Sequence, residues 1–459
     1  MSNGAATYTP PQPGSKIIIV GGGAFGLSTA YALALKNKYD VWVYDRQTIP
    51  APDAASTDIN KIVRIDYASE TVYMQMAIEA LPLWRQWNKE RAEMGLSPVL
   101  HETGVLLFSQ NGKFSDYEIQ SMKAIREAGY GYLIEELGPE TIVKRYPQFK
   151  DAVANGFNVA YLNRAGGWCD SAEAVKHAYY KCQQSGVRFV LGENEGCFEK
   201  FVLDPSDASK VVGIQTKDGK VHNADHVVMA TGAWTPGLVD MSNKLVATGQ
   251  TVVHFQLPPE IRKKFENQPV WAGDLSRTGF YGFSVNSEGK MKIGLHSRGY
   301  LNPREIDGIS IPRTQVTHKT DTIPRKALRE FRTFLSKFFP FTSKLDVSFA
   351  RVCWYCDSID GHFLISPHPK YQNLVVASGD SGHGMKFIPN LGFKICHVIE
   401  GIDSDYSRTW RWRDMPELAT YDGLRAQSQH QQQLHLGLES DANVAMATAD
   451  DFLAVKASL

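Results

Sequence analysis

Residues 16–46, KIIIVGGGAFGLSTAYALALKNKYDVWVYDR, decide the fold. Ile17–Val20 is a short, β-branched apolar run of the kind a buried strand requires. Gly21, Gly23 and Gly26 follow in G-x-G-x-x-G spacing, with Ala24 and Phe25 between the last two, and open an apolar helix reaching about Leu35. A second strand, Val41–Tyr44, runs into Asp45 and Arg46. Gly21 permits the tight turn, Gly23 lets a pyrophosphate approach the backbone, and Gly26 allows close helix–strand packing. The helix N-terminus adds free N–H groups and a positive dipole end. Asp45, nineteen residues past Gly26, can accept hydrogen bonds from both hydroxyls of an adenosine ribose. The glycine spacing alone is common; strand, glycines, helix, strand and acid in this order read as a dinucleotide site.

At 459 residues the chain is too long for one core, so two domains or an interleaved pair are expected. Lys+Arg and Asp+Glu are equal at 49, so no net field favours nucleic acid or an anionic membrane. No apolar run reaches the ~18–20 residues that cross a bilayer. Residues 1–14, with Pro10, Pro11 and Pro13, read as a loose arm without the apolar centre of a signal peptide. The six cysteines are too sparse for a disulfide scaffold. Cys353 and Cys356 form a C-x-x-C, but zinc needs two further close ligands and a redox pair should open a helix, whereas these end a strand-like run, 347–355. No metal is expected.

Beyond the first unit, apolar spacing predicts a helix over 71–95, and another over 171–185 capped by Asp170 or Ser171. Strands are expected at 104–108, 156–162, 187–191, 211–216 and 220–222, then at DHVVMATG, 225–232. Alternating stretches at 246–256 and 279–297 read as antiparallel strands, 325–338 as a basic helix, and 373–399 as a second strand–glycine–helix passage. The last ~45 residues, Gln- and Ala-rich, read as surface wrapping or partly mobile chain. Nucleotide-type elements at the start, middle and end, with antiparallel strands between them, predict an α/β plus α+β protein. A Rossmann-type FAD-binding domain is then assembled from discontinuous segments, 15–98, 165–245 and 350–413. A substrate domain on a mainly antiparallel sheet, 99–164 and 246–349, is inserted into it, with extensions at 1–14 and 414–459. A nicotinamide domain normally completes itself in contiguous chain, so the interleaving favours a flavin.

Several motifs then match one family in order: GGGAFG at 21–26, NKIVRIDYA at 60–68, TGVLLF at 103–108, ATGAWT at 230–235, KIGLHSRG at 292–299, CWYC at 353–356, HFLISPHP at 362–369 and GDSGHGMKF at 379–387. From about 15 to 413 the chain resembles the flavoprotein amine oxidases: monomeric sarcosine oxidase, L-pipecolate and saccharopine oxidases, and fructosyl amino acid oxidases (amadoriases). The resemblance implies FAD in a two-domain fold, with a secondary amine oxidised to an imine and dioxygen reduced to hydrogen peroxide.

On that resemblance, Cys353 carries a covalent link from its sulfur to the flavin 8α-methyl, a thiolate adding to an electron-poor ring. Cys169, Cys182, Cys197 and Cys396 read as ordinary buried cysteines. Gly232, Trp234, Gly382 and Gly384 fall in motifs that bind the cofactor, together with Asp45, Arg46 and the 21–26 turn. Arg64 and Lys386 match the pair that binds the substrate carboxylate; their apolar flanks, Val63 and Ile65, Met385 and Phe387, speak against solvated surface charges. His296 and Tyr355 match the sarcosine and pipecolate type, where amadoriases carry an acid and a cysteine. Isolated histidines are more often satisfied core groups, and only the match lifts His296 above that. Lys292 matches the lysine thought to activate dioxygen; four residues before His296 on an extended run, it should share its face. Lys61, counted with both the catalytic and the cofactor-binding residues, stands where sarcosine oxidase has arginine and amadoriases have lysine, so here the chain leans toward the amadoriases.

These residues imply an FAD-dependent oxidase of N-substituted amino acids such as sarcosine, L-pipecolate or saccharopine. The alternatives are a fructosyl amino acid oxidase and a flavin amine dehydrogenase with another acceptor. A silent flavin-binding module conflicts with intact Lys292, His296, Tyr355 and Lys386. The partners expected are a small amino acid and dioxygen, on a monomer in the cytoplasm or peroxisome. The terminal Ala457-Ser458-Leu459 resembles a peroxisomal tripeptide but lacks its basic middle residue.

Overall fold

The computed structural model describes residues 7–414 and 445–454. Lys16–Val20 pairs in parallel with Asp40–Asp45 on one side and His226–Met229 on the other. Arg188–Leu191 and Leu374–Ser378 extend the two flanks in parallel, and Leu364–Pro367 closes one edge antiparallel. The central strand is apolar on both faces, and Ile17, Ile18 and Ile19 have no exposed surface, as a sheet covered on both sides demands. The helix Ala24–Ala34 packs with Leu391–Ile399 in one apolar core over this sheet. Two glycines make that entry possible. Gly21 turns at φ +108°, and a Cβ on Gly26 would stand 1.8 Å from the Gly21 carbonyl oxygen.

A second sheet of eight strands carries the other half of the molecule. Its order is Val347–Ser358, Leu245–Gln256, Lys290–Tyr300, Phe280–Gly282, Val270–Gly273, Val105–Ser109, Val159–Asn163 and Ile134–Leu137. All neighbours run antiparallel except Val270–Gly273 beside Val105–Ser109. The helix Arg325–Phe338 is basic outside but buries Leu328, Phe331, Phe334, Leu335 and Phe338; the Phe334 ring stacks 4.2 Å from Phe280. Two smaller three-stranded sheets complete the molecule, and one of them pairs Lys61–Arg64 with Gly166–Cys169.

The helices Thr71–Glu93 and Ser171–Gln184 form where apolar spacing places them, and the Asp170 carboxylate caps the latter by accepting the Glu173 N–H at 3.1 Å. Two expectations change. Residues 279–297 are not one strand, because Asn286–Gly289 turns the chain; Gly289 sits at φ +82° and the Lys290 N–H bonds the Asn286 side chain at 2.9 Å. Residues 7–14 are not loose. The Tyr8 hydroxyl bonds the Ile399 carbonyl at 2.7 Å, and His226 donates to the Thr9 carbonyl at 2.8 Å. Residues 445–454 do wrap the surface, resting against the Arg325–Phe338 helix through an Arg325–Asp451 ion pair at 2.9 Å and a buried Ala447. The remaining terminal expectations, including the tripeptide at 457–459, lie outside the described residues. Among the described residues no helix is long and apolar enough to cross a membrane.

Candidate active site

Parallel strands deliver their carboxyl ends to one cleft, where such sheets bind ligands. Gly21, Gly23, Ala24 and Phe25 line it, with Asp45 and Arg46 from the next strand end. Gly232 and Trp234 enter after His226–Met229, and Gly382 and Gly384 after Leu374–Ser378. Gly26 lies behind the cleft and serves packing alone. The cleft suits an adenine dinucleotide on its own geometry. A Cβ on Gly23 would meet nothing nearer than Ser56 Oγ at 3.7 Å, so the helix entrance is open to a phosphate. The Asp45 carboxylate is fixed by the Gly22 N–H at 2.7 Å and the Gln47 N–H at 3.0 Å, and each oxygen keeps a lone pair for a ribose hydroxyl. Arg46 is already engaged. It pairs with Asp53 at 2.7 Å and lies 4.3 Å over the Trp234 ring, bracing the cleft wall.

A second cavity of about 480 Å³ adjoins the cleft, and Lys61, Tyr355, Gly382 and Met385 line both. Arg64, Lys386, His296 and Tyr355, far apart in sequence, all face this cavity, and the His296 and Tyr355 rings stand 6.2 Å apart. Arg64 ends the strand Lys61–Arg64 and is 8% exposed; Lys386 is 4% exposed in a single turn, Met385–Phe387. Among the described residues neither makes an ion pair. Tyr117 holds the Arg64 guanidinium at 2.6 Å, while Tyr67 and the His383 carbonyl hold the Lys386 ammonium at 2.9 and 2.8 Å. Burial, followed by the Arg64 charge, pushes Lys386 well below the ordinary ammonium value. Burial opposes the Arg64 charge, yet Tyr117, Tyr67 and Asp66 keep its guanidinium above its usual value. Two neighbouring cations with no carboxylate in ion-pair contact make an anion site.

Beneath the junction of the two cavities lies a buried ionic cluster. Cys353 is 3% exposed; its Sγ stands 3.8 Å from Lys61 Nζ and 4.0 Å from Arg351 Nη2. Lys292 has no exposed surface and lines neither cavity; its Nζ pairs with Asp58 at 2.7 Å and donates to the Asn60 carbonyl at 2.7 Å. Burial lowers Lys292 to about 8 despite Asp58. Sequence reasoning missed Asp58, Tyr67, Tyr117 and His383. Tyr67 and His383 had a local signal, standing in NKIVRIDYA three residues after Arg64 and in GDSGHGMKF three before Lys386; the others had none.

The family described as FAD dependent oxidoreductase matches residues 16–397. The chain belongs to that family. As a family member it shares 32% identity over 416 residues with the L-saccharopine oxidase of Schizosaccharomyces pombe, covering 87% of this chain and 93% of that one. The monomeric sarcosine oxidase of a Bacillus species is 26% identical over 382 residues, covering 82% and 90%. Among solved structures, a fructosyl peptide oxidase from E. terrenum superposes at a TM-score of 0.81 with 27% identity, covering 91% of this chain and 96% of that one. The protein is accordingly an FAD-dependent enzyme, and the cleft at Gly21–Asp45 is where its cofactor fits.

Proposed function

We propose that this enzyme oxidises N-substituted amino acids of the sarcosine, L-pipecolate or saccharopine kind, giving an imine and hydrogen peroxide. One observation carries the reading: Arg64 and Lys386, buried and, among the described residues, without an acidic side chain in ion-pair contact, face the cavity that adjoins the cofactor cleft. A substrate carboxylate supplies the missing charge, bidentate on the arginine and point-charged on the lysine. FAD held by the 21–26 turn and Asp45 would supply the two-electron acceptor for the amine and the reductant for dioxygen. His296 and Tyr355 flank the substrate, and their identity supports the sarcosine and pipecolate type over the amadoriases. A cavity of about 480 Å³ has room for a substituent larger than the methyl of sarcosine. The reading takes a monomer acting on small molecules, with peroxide release suited to a peroxisome.

A peroxide-coupled assay of sarcosine, L-pipecolate, saccharopine, fructosyl-valine and fructosyl-lysine tests it. Turnover of one of the first three is expected. Preference for the fructosyl compounds would replace the reading with the amadoriase one, and amine oxidation without peroxide would point to another acceptor.

Attachment of FAD through Cys353 belongs to the same proposal and has the placement of the sulfur between Lys61 and Arg351 in its support. After acid precipitation the yellow colour should remain with the protein, and Cys353→Ala should release it. Colour wholly in the supernatant of the unaltered protein would overturn the link.

A further inference from the structure

Asp58 is a buried charge that the site described above does not use. It lies in the polar loop before Lys61–Arg64, its side chain is 3% exposed, and cations from three elements converge on it. Lys292, from the strand Lys290–Tyr300, stands 2.7 Å from Oδ2; Arg351, from Val347–Ser358, 3.3 Å; Lys61 3.7 Å. His254, from Leu245–Gln256, faces Oδ1 at 3.8 Å, and burial holds its ring down to about 4, so it is neutral at ordinary pH. Burial works to raise the Asp58 carboxyl, but Lys292, Arg351 and Lys61 together hold it well below its usual range. One buried carboxylate therefore faces three cations.

We propose that Asp58 is a positioning residue of the oxidase, fixing Lys292 as the cation of the oxygen half-reaction and drawing Lys61 and Arg351 to the Cys353 sulfur. The proposal rests on the oxidase reading and on the oxygen role of Lys292, and it adds the group that aims both. Two structural facts connect Asp58 to function. The Lys292 ammonium has only Asp58 and the Asn60 carbonyl within hydrogen-bonding reach in the contacts described, so Asp58 sets where it points. Lys61 and Arg351, which flank Cys353 Sγ, share the same Oδ2 as their anion. Three like charges without it would repel one another and leave the sulfur.

The test uses Asp58→Asn, Asp58→Glu, Lys292→Met and the double variant Asp58→Asn/Lys292→Met in the flavin-loaded enzyme. The double variant removes a positive and a negative charge together, so it stays balanced where Asp58→Asn alone fails to fold. Asp58→Asn should slow reoxidation of the reduced enzyme by dioxygen roughly tenfold or more, while anaerobic reduction by the amine changes less than about threefold. The double variant should match Lys292→Met, since both act on one group. Two readouts separate positioning from general damage. The fraction of flavin retained after acid precipitation should fall in Asp58→Asn and recover in Asp58→Glu. The pH at which reoxidation declines should move down in Asp58→Asn, because the carboxylate is what raises Lys292 against its burial, its other charged neighbours being Lys61 and Arg351, with the Cys169 thiol also near. Reoxidation slowed by Lys292→Met but unchanged in Asp58→Asn would overturn the role of Asp58 alone; so would a double variant slowed by the product of the two single effects. Reoxidation unchanged in Lys292→Met would overturn the oxygen role of Lys292 and this proposal with it.

Discussion

Lys292→Met slows the reaction of the reduced enzyme with dioxygen by ~10²–10³-fold while anaerobic reduction by the amine is nearly unchanged; that is the expected result of a rapid-mixing comparison of the two half-reactions. Methionine keeps most of the buried aliphatic volume and removes the ammonium. The ammonium is preorganised between the Asp58 carboxylate and the Asn60 carbonyl, and stands 5.1 Å over the Phe283 ring, so no reorganisation is needed when negative charge develops on dioxygen. The amine half-reaction is expected to draw on other groups, since Arg64, Lys386, His296 and Tyr355 line the cavity proposed for the substrate and Lys292 does not. A pH signature accompanies the effect. Burial lowers Lys292 to about 8, so the charge is present below that pH and lost above it, and the oxygen reaction should decline on the alkaline side. Methionine has no such limb. Arg351 and Lys61 remain at 3.3 and 3.7 Å from Asp58, so the variant does not strand a lone buried carboxylate. Equal slowing of both half-reactions would show that Lys292 is a general support of the site.

The first βαβ unit was legible because its constraints are local: the 21–26 glycines answer to one turn and one helix–strand contact, within a few residues of one another. Arg64 and Lys386 were legible through the apolar residues around them, a context that surface cations lack. Asp58 was not, because Ser56, Thr57 and Asn60 around it read as a solvated loop. The groups that bury it, at 254, 292 and 351, arrive from distant strands of another sheet. Lys292 was expected to share a strand face with His296; its depth was not legible, and the structure places it behind the cavity wall that His296 lines. Alternation gives a face of a strand; what covers that face depends on the Asp58–Lys61 segment crossing over it. Likewise the break at Asn286–Gly289 needed a turn signal to be weighed above an alternating apolar pattern.

Arg64→Ala should raise the substrate KM by about 10–100-fold, the worth of a charged hydrogen-bond pair of roughly 1.5–3 kcal/mol, with kcat changing less. The carboxylate is gripped alike in ground and transition states, so its loss is mainly a loss of uniform binding. Compensation limits the effect. After burial, the Arg64 charge is the main cause holding Lys386 below its ordinary value, so removing it lets the remaining ammonium carry more charge. Arg64→Lys should fall between the two, keeping a charge but losing the fork, and Tyr117 would lose its 2.6 Å partner in either variant. Flavin content should stay normal, because Arg64 lines the substrate cavity and not the nucleotide cleft. A secondary amine lacking a carboxylate is the decisive control: its turnover, however weak, should be the same with and without Arg64. Selective loss for the amino acid alone places the arginine on the carboxylate. An unchanged KM removes it from the site, and equal loss for both substrates makes it a support for the Tyr67 and Tyr117 wall.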